Sequence, residues 1–152
     1  MKKRVLFGLV LLAFGVIVGC KPKAPAKPVS ELIRKRWTAR EVKENGTTVY
    51  TKGASSNAKP GYSSFVLDMS GATGNNVRLT AVDGNQFAGN WALSSDNKTL
   101  TLSNLSPQPT GSNGTLEYTI NGTVTETQLN LVRTTPDPKT GNSTNDYQLV
   151  NP

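Results

Sequence analysis

Histidine is missing from all 152 residues, and cysteine occurs once, at Cys20. The first absence removes the commonest general base near neutral pH, any Ser-His-Asp relay and most zinc, copper or iron sites. The second rules out an internal disulfide or a thiolate pair. Acidic residues number only ten, and Asp83, Asp96, Asp137 and Asp146 fall in turns or loops that lead into strands. Aspartate is expected at such places for local hydrogen bonding, so a glycosidase-like carboxylate pair is not the expectation. Nor do Asp137, Asn142 and Asp146 keep the spacing of a calcium loop. The chain is therefore expected to be non-catalytic, without metal or cofactor.

Long apolar runs are also missing. Val5 to Val18, the longest, covers about fourteen residues, against roughly 20 for a spanning helix. Preceded by Met1-Lys2-Lys3-Arg4, it has the layout of an export signal. It ends in Ile17-Val18-Gly19-Cys20. That tetrapeptide resembles the lipobox of bacterial lipoproteins, in which a small residue precedes an obligatory cysteine. The resemblance implies removal of residues 1–19 and attachment of diacylglycerol to the Cys20 thiol, with further acylation (a palmitate, for example) at the new amino group. Two or three acyl chains would hold the protein on a membrane essentially permanently. Residues 20–29 then form a tether rich in Pro and Lys, which favours extended polyproline II. Lys21, directly after the cysteine, resembles the default for outer-membrane delivery, and no acidic run like a surface-export signal follows it. The expected location is the cell envelope, on the outer membrane and facing the periplasm, with membrane lipid as one partner.

The formal net charge of +7 is unevenly spread. Lys2, Lys3 and Arg4 leave with the signal, and eight of the remaining basic residues lie between Lys21 and Lys43. Residues 44–152 carry six basic and eight acidic side chains. A nucleic-acid binder carries its basic residues on the domain itself, so nucleic acid is excluded as a partner.

Residues 30–152 show the two-residue alternation of half-buried strands. Ser30 is placed to cap a helical turn over residues 31–36, and Trp37 opens the first strand. Asn45-Gly46 is the signature of a type I′ hairpin. Phe65, Leu67 and Met69 share one face. So do Val77, Leu79 and Ala81, then Phe87, Gly89, Trp91 and Leu93. Leu100 and Leu102 follow, then Leu116, Tyr118 and Ile120, with an extension toward Val124. Leu129 and Leu131, and finally Tyr147 and Leu149, complete the set. Three longer polar loops cover residues 53–61, 106–114 and 134–145. Eight or nine strands, each with one apolar face, predict an all-β, antiparallel up-and-down barrel after a short N-terminal helix. A two-sheet sandwich is the alternative.

The pattern Leu32-Ile33-x-x-x-Trp37 resembles the entry of the lipocalin-like domains on Bacteroidetes lipoproteins. Phe87-x-Gly89-x-Trp91-x-Leu93 with Thr99-Leu100-x-Leu102 is similar to their repeats, as are Tyr118-x-Ile120 and Thr125-x-Thr127-x-Leu129-x-Leu131. Lys35 departs from the family's usual glycine two residues before the tryptophan. The resemblance implies a barrel that binds or carries a small, partly apolar ligand. Trp37, Phe65, Phe87, Trp91 and Tyr118 are the candidate ligand-binding side chains; filling the core is their competing role. Asp68, Arg78, Glu117 and Arg133 lie mid-strand and are expected to point outward. Any of them pointing inward would mark a site, because a buried charge needs a partner. The alternative function is a non-catalytic structural or protein-interaction module with an envelope protein as partner, working through the loops.

Overall fold

A computed structural model describes residues 25–152. The expected export signal 1–19, Cys20 and the first residues of the expected tether lie outside the described residues. A one-turn helix, α1 (Val29–Leu32), leads into nine strands: β1 (Arg36–Glu44), β2 (Thr47–Thr51), β3 (Val66–Asp68), β4 (Asn76–Thr80), β5 (Gln86–Leu93), β6 (Thr99–Ser106), β7 (Leu116–Ile120), β8 (Gln128–Arg133) and β9 (Asn145–Val150). Neighbouring strands pair antiparallel from β3 to β9, and β1 pairs with both β3 and β9, closing a ring of eight. β2 pairs with the second half of β1 and is the extra, ninth strand. The barrel expectation therefore holds, and the sandwich does not.

Bulges shape this ring. Against β9, Ala39 and Glu41 of β1 oppose Leu149 and Gln148, which makes Arg40 an extra residue. The inward set accordingly changes phase, from Trp37 and Ala39 to Val42 and Glu44. The second switch is on β6, where Asn104 takes φ 53° and Leu105 becomes the buried residue after Leu100 and Leu102. This switch carries β6 on to Ser106, beyond the last residue that plain alternation supports. Opposite it, a Cβ on Gly89 would lie 2.4 Å from the Ser103 carbonyl oxygen, so glycine lets the two backbones meet.

The ring has two unlike ends. At one, α1 and the residues after it cross the opening: Ile33 is fully buried, and Val29 and Leu32 pack beside it. Trp37 Nε1 donates to the Ile33 carbonyl at 2.9 Å, and Arg34 donates to the Gly74 carbonyl and to Asn75. This is the closed end. The helix is shorter than expected; Pro28 rather than Ser30 occupies its N-cap, in extended backbone and without a side-chain cap. The other end, the mouth, carries the connections 81–85, 107–115 and 134–144.

Between the ends the interior is filled. Leu67, Leu100, Leu102, Leu129, Leu131 and Leu149 are almost wholly buried. Eight strands leave a lumen just wide enough for side chains to fill or for one small ligand.

Candidate functional site

Sequence alternation places Leu129 and Leu131 of β8 inward, and the same two-residue step carries Arg133 inward. The expectation that Arg133 points to solvent is thus corrected: it is 6% exposed. Asp68, Arg78 and Glu117 do face outward, half-buried or exposed. A guanidinium cannot be neutralised by losing its proton, so its burial requires a carboxylate. Asp137, itself buried, supplies one through an ion pair with Arg133 NH1. Asp137 is held in turn by the Lys139 backbone N–H, which donates to its Oδ1 at 3.0 Å. The Nε of Arg133 is buried without a hydrogen-bond partner among the described residues.

Around this pair lies a small pocket, bounded by Phe65, Leu79, Phe87, Leu116, Tyr118 and Tyr147. Phe65 and Tyr147 stack at 4.8 Å, and Tyr118 meets Tyr147 edge-on at 6.1 Å. Lys139 stands at the rim, its ammonium 5.5 Å from the Phe87 ring centre and ion-paired with Asp83. The enclosed volume is about 30 Å³, room for roughly two ordered waters. A drug-sized ligand needs some 300 Å³ or more, so the pocket can take one terminal group and not a whole ligand.

At the same level of the mouth, polar groups satisfy one another. Glu44, inward because of the β1 bulge, accepts from the Tyr62 hydroxyl at 2.7 Å and pairs with Lys59 at 2.5 Å. Asn145, fully buried, donates its two amide hydrogens to the hydroxyls of Tyr62 and Tyr147 and accepts from Ser143 at 2.6 Å, with the Thr140 hydroxyl beside it. Burial raises all three phenols. Tyr118 is pushed up to about 12, and Tyr62 and Tyr147 go higher still, with a negative neighbour adding to each. They are neutral donors and acceptors at any physiological pH.

The five aromatic candidates divide between two places. Phe65, Phe87 and Tyr118 line the mouth pocket. Trp37 and Trp91 sit in the core toward the closed end, and Arg34 covers the Trp91 ring at 5.0 Å. Tyr147, an aromatic on the buried face of β9 with Leu149, was legible as a companion of the pocket. Sequence reasoning missed Asp137 and Lys139, which sit in an irregular loop with no periodicity to betray them.

A closed eight-stranded antiparallel barrel, helix-plugged at one end and pocketed at the other, belongs to the class of small up-and-down barrels. Among solved structures, the chain is similar to a lipocalin-like protein from Bacteroides uniformis, at 14% identity and a TM-score of 0.44, covering 79% of this chain and 98% of that one. It is also similar to an uncharacterized protein from Bacteroides eggerthii, at 12% identity and a TM-score of 0.43, over 78% and 98% of the two chains. No family model and no curated protein matches the chain.

Proposed function

We propose that this protein is a non-catalytic lipoprotein of the cell envelope, held on the outer membrane through acylated Cys20, whose barrel binds one end of a small ligand at its mouth. The anchoring rests on the signal layout and the lipobox resemblance. The binding rests on a single observation: Arg133, buried among Phe65, Phe87, Tyr118 and Tyr147, keeps an Nε–H without a partner. A buried donor left unpaired costs about 1–3 kcal/mol, and a bound acceptor would recover it. The ligand that fits has an acceptor oxygen, such as a carboxylate, next to a flat apolar portion that lies on the aromatic walls.

The decisive test is native mass spectrometry of the mature protein extracted from its own envelope. A co-purifying small molecule, lost in Arg133→Lys, is expected. An identical spectrum for both proteins would remove the mouth as a binding site. The filled interior favours a second reading, in which the barrel is a rigid module that presents its loops to an envelope protein.

A further inference from the structure

The chain enters the barrel at its closed end, and it is fastened there before it becomes a strand. Glu126, in the β7–β8 connection, bridges two lysines of the entering segment: Lys27 Nζ lies 2.8 Å from one carboxylate oxygen, and Lys35 pairs with the other. Lys35 also donates to the Glu126 carbonyl at 2.6 Å. With Lys27 fixed on the closed end, only seven residue steps separate it from Cys20. Fully extended, these reach roughly 25 Å at most. The mouth is a full strand length farther away, since β1 runs from Arg36 at the closed end to Glu44.

Charge differs between the ends in the same sense. At the mouth, Lys59, Arg133 and Lys139 are each ion-paired with a carboxylate. At the closed end, Arg34, Arg36 and Lys98 are exposed and form no ion pair among the described residues, although Asp68 stands opposite Arg36 and Asp96 beside Lys98, so the surplus of positive charge there is partial. Lys21 and Lys23 of the tether add to that surplus in sequence. Clustered cations next to a lipid anchor are attracted to anionic headgroups.

We infer that the closed end, through Arg34, Arg36 and Lys98, rests on the anionic headgroups of the bilayer that holds Cys20, so that the mouth with Arg133 faces away from that membrane. This rests on the anchoring proposed above. It gives α1 and the Glu126 bridge a role beyond plugging the barrel: they shorten the free tether and set which end looks outward.

The test uses the mature lipidated protein in vesicles containing phosphatidylglycerol, with one added cysteine for a fluorophore. Acylation of Cys20 leaves the new thiol as the only reactive one. Ser95→Cys labels the exposed β5–β6 turn at the closed end, and Thr135→Cys labels an exposed position at the mouth. A headgroup-linked nitroxide lipid is expected to quench the Ser95 label several-fold more strongly than the Thr135 label. High salt, or Arg36→Glu combined with Lys98→Glu, should erase most of the difference, as should replacing phosphatidylglycerol by phosphatidylcholine. Equal quenching at both positions, or stronger quenching at Thr135, overturns the orientation. A difference that survives high salt and the charge reversals overturns the headgroup contact. If intact mass shows no acyl groups on Cys20, the anchoring itself falls and this inference with it, a result distinct from the others.

Discussion

Arg133 and Asp137 are four residues apart, yet they meet inside the barrel mouth, one carried by the last inward position of β8 and the other by the loop after it. Both are more than nine-tenths buried or close to it, so neither is solvated well enough to stand alone. Removing one partner from such a pair typically costs about 3–5 kcal/mol, whereas replacing both can be nearly neutral. Asp137→Asn should therefore destabilise strongly in urea unfolding, although the amide oxygen still accepts from the Lys139 N–H. Arg133→Met in the same background should recover most of the loss. Additive losses in the double variant would mean the pair is not coupled.

The three raised phenols predict alkaline sensitivity. An unfolded tyrosine ionises near 10, while Tyr118 is pushed up to about 12 by burial. A folded pKa above the unfolded one leaves stability intact below about 10, then erodes it as pH rises toward 12. Tyr62 and Tyr147 act in the same direction. Tyrosinate absorbance should appear together with loss of the far-ultraviolet strand signal. Gradual ionisation of all the tyrosines in a still-folded chain would show that the mouth admits solvent freely.

Much of this fold could be read from alternation, and the places where alternation misled are physically specific. From β3 onward the apolar face of each strand was legible because a half-buried strand repeats every two residues. Bulges break that period: the Arg40 and Asn104 switches turn Glu44 and Leu105 inward after a three-residue step, and strict two-residue alternation assigns both to the outer face. β3 proved only three residues long, because Phe65 and Met69 are buried without ladder pairing. Likewise, Val124 is buried from the β7–β8 connection, and β7 stops at Ile120. The site was less legible than the fold. Arg133 was in phase with Leu129 and Leu131, but its charge argued for solvent, and its compensating partner lay in a loop.

Glycine at position 89 should be irreplaceable, for a reason that separates it from Gly46. Alanine at Gly89 would drive a methyl against the Ser103 carbonyl oxygen, which belongs to a paired strand and cannot yield. The expected cost is about 1–3 kcal/mol, in the range of overpacking. Gly46 has open space around it but φ +81°, so Gly46→Ala should cost about 1–2 kcal/mol through backbone strain alone. Asn at position 46, which tolerates that backbone, should relieve Gly46→Ala, while no substitution should relieve Gly89→Ala. Equal rescue at both positions in thermal unfolding would contradict the close β5–β6 approach.

The Glu126 bridge should be visible by titration. Hydrogen bonds from Lys27 and Lys35 hold its carboxyl down at about 2, well below the ordinary glutamate range. A folded pKa below the unfolded one contributes stability that is present above about 4 and lost as pH falls through about 2. Carboxyl carbon chemical shifts followed by NMR should place Glu126 lowest among the glutamates, and added salt should move it upward because the bridge is exposed. Glu126→Gln should leave the core intact and speed amide exchange in residues 27–35. A Glu126 that titrates in the ordinary range would mean that the tether is not fastened at the closed end.

The split between the two aromatic groups gives the clearest discrimination of where a ligand sits. Trp37 and Trp91 lie in the core toward the closed end, while Phe65, Phe87 and Tyr118 line the mouth. A ligand that docks one terminal group against Arg133 should shift the Arg133 Nε–H and Tyr118 ring resonances. It should leave the Trp37 indole N–H, bonded to the Ile33 carbonyl, unmoved. Entry into the lumen would instead have to displace the leucines between the two groups and would perturb both indoles. Benzoate is a suitable first probe, since it joins a carboxylate, the one group the pocket has room for, to a flat apolar ring left at the rim. Shifts confined to the mouth support the site, and their disappearance in Arg133→Lys would identify the guanidinium as the anchor. Shifts at both indoles would move the site into the barrel, and no shift at any of these groups would leave the loops as the working surface.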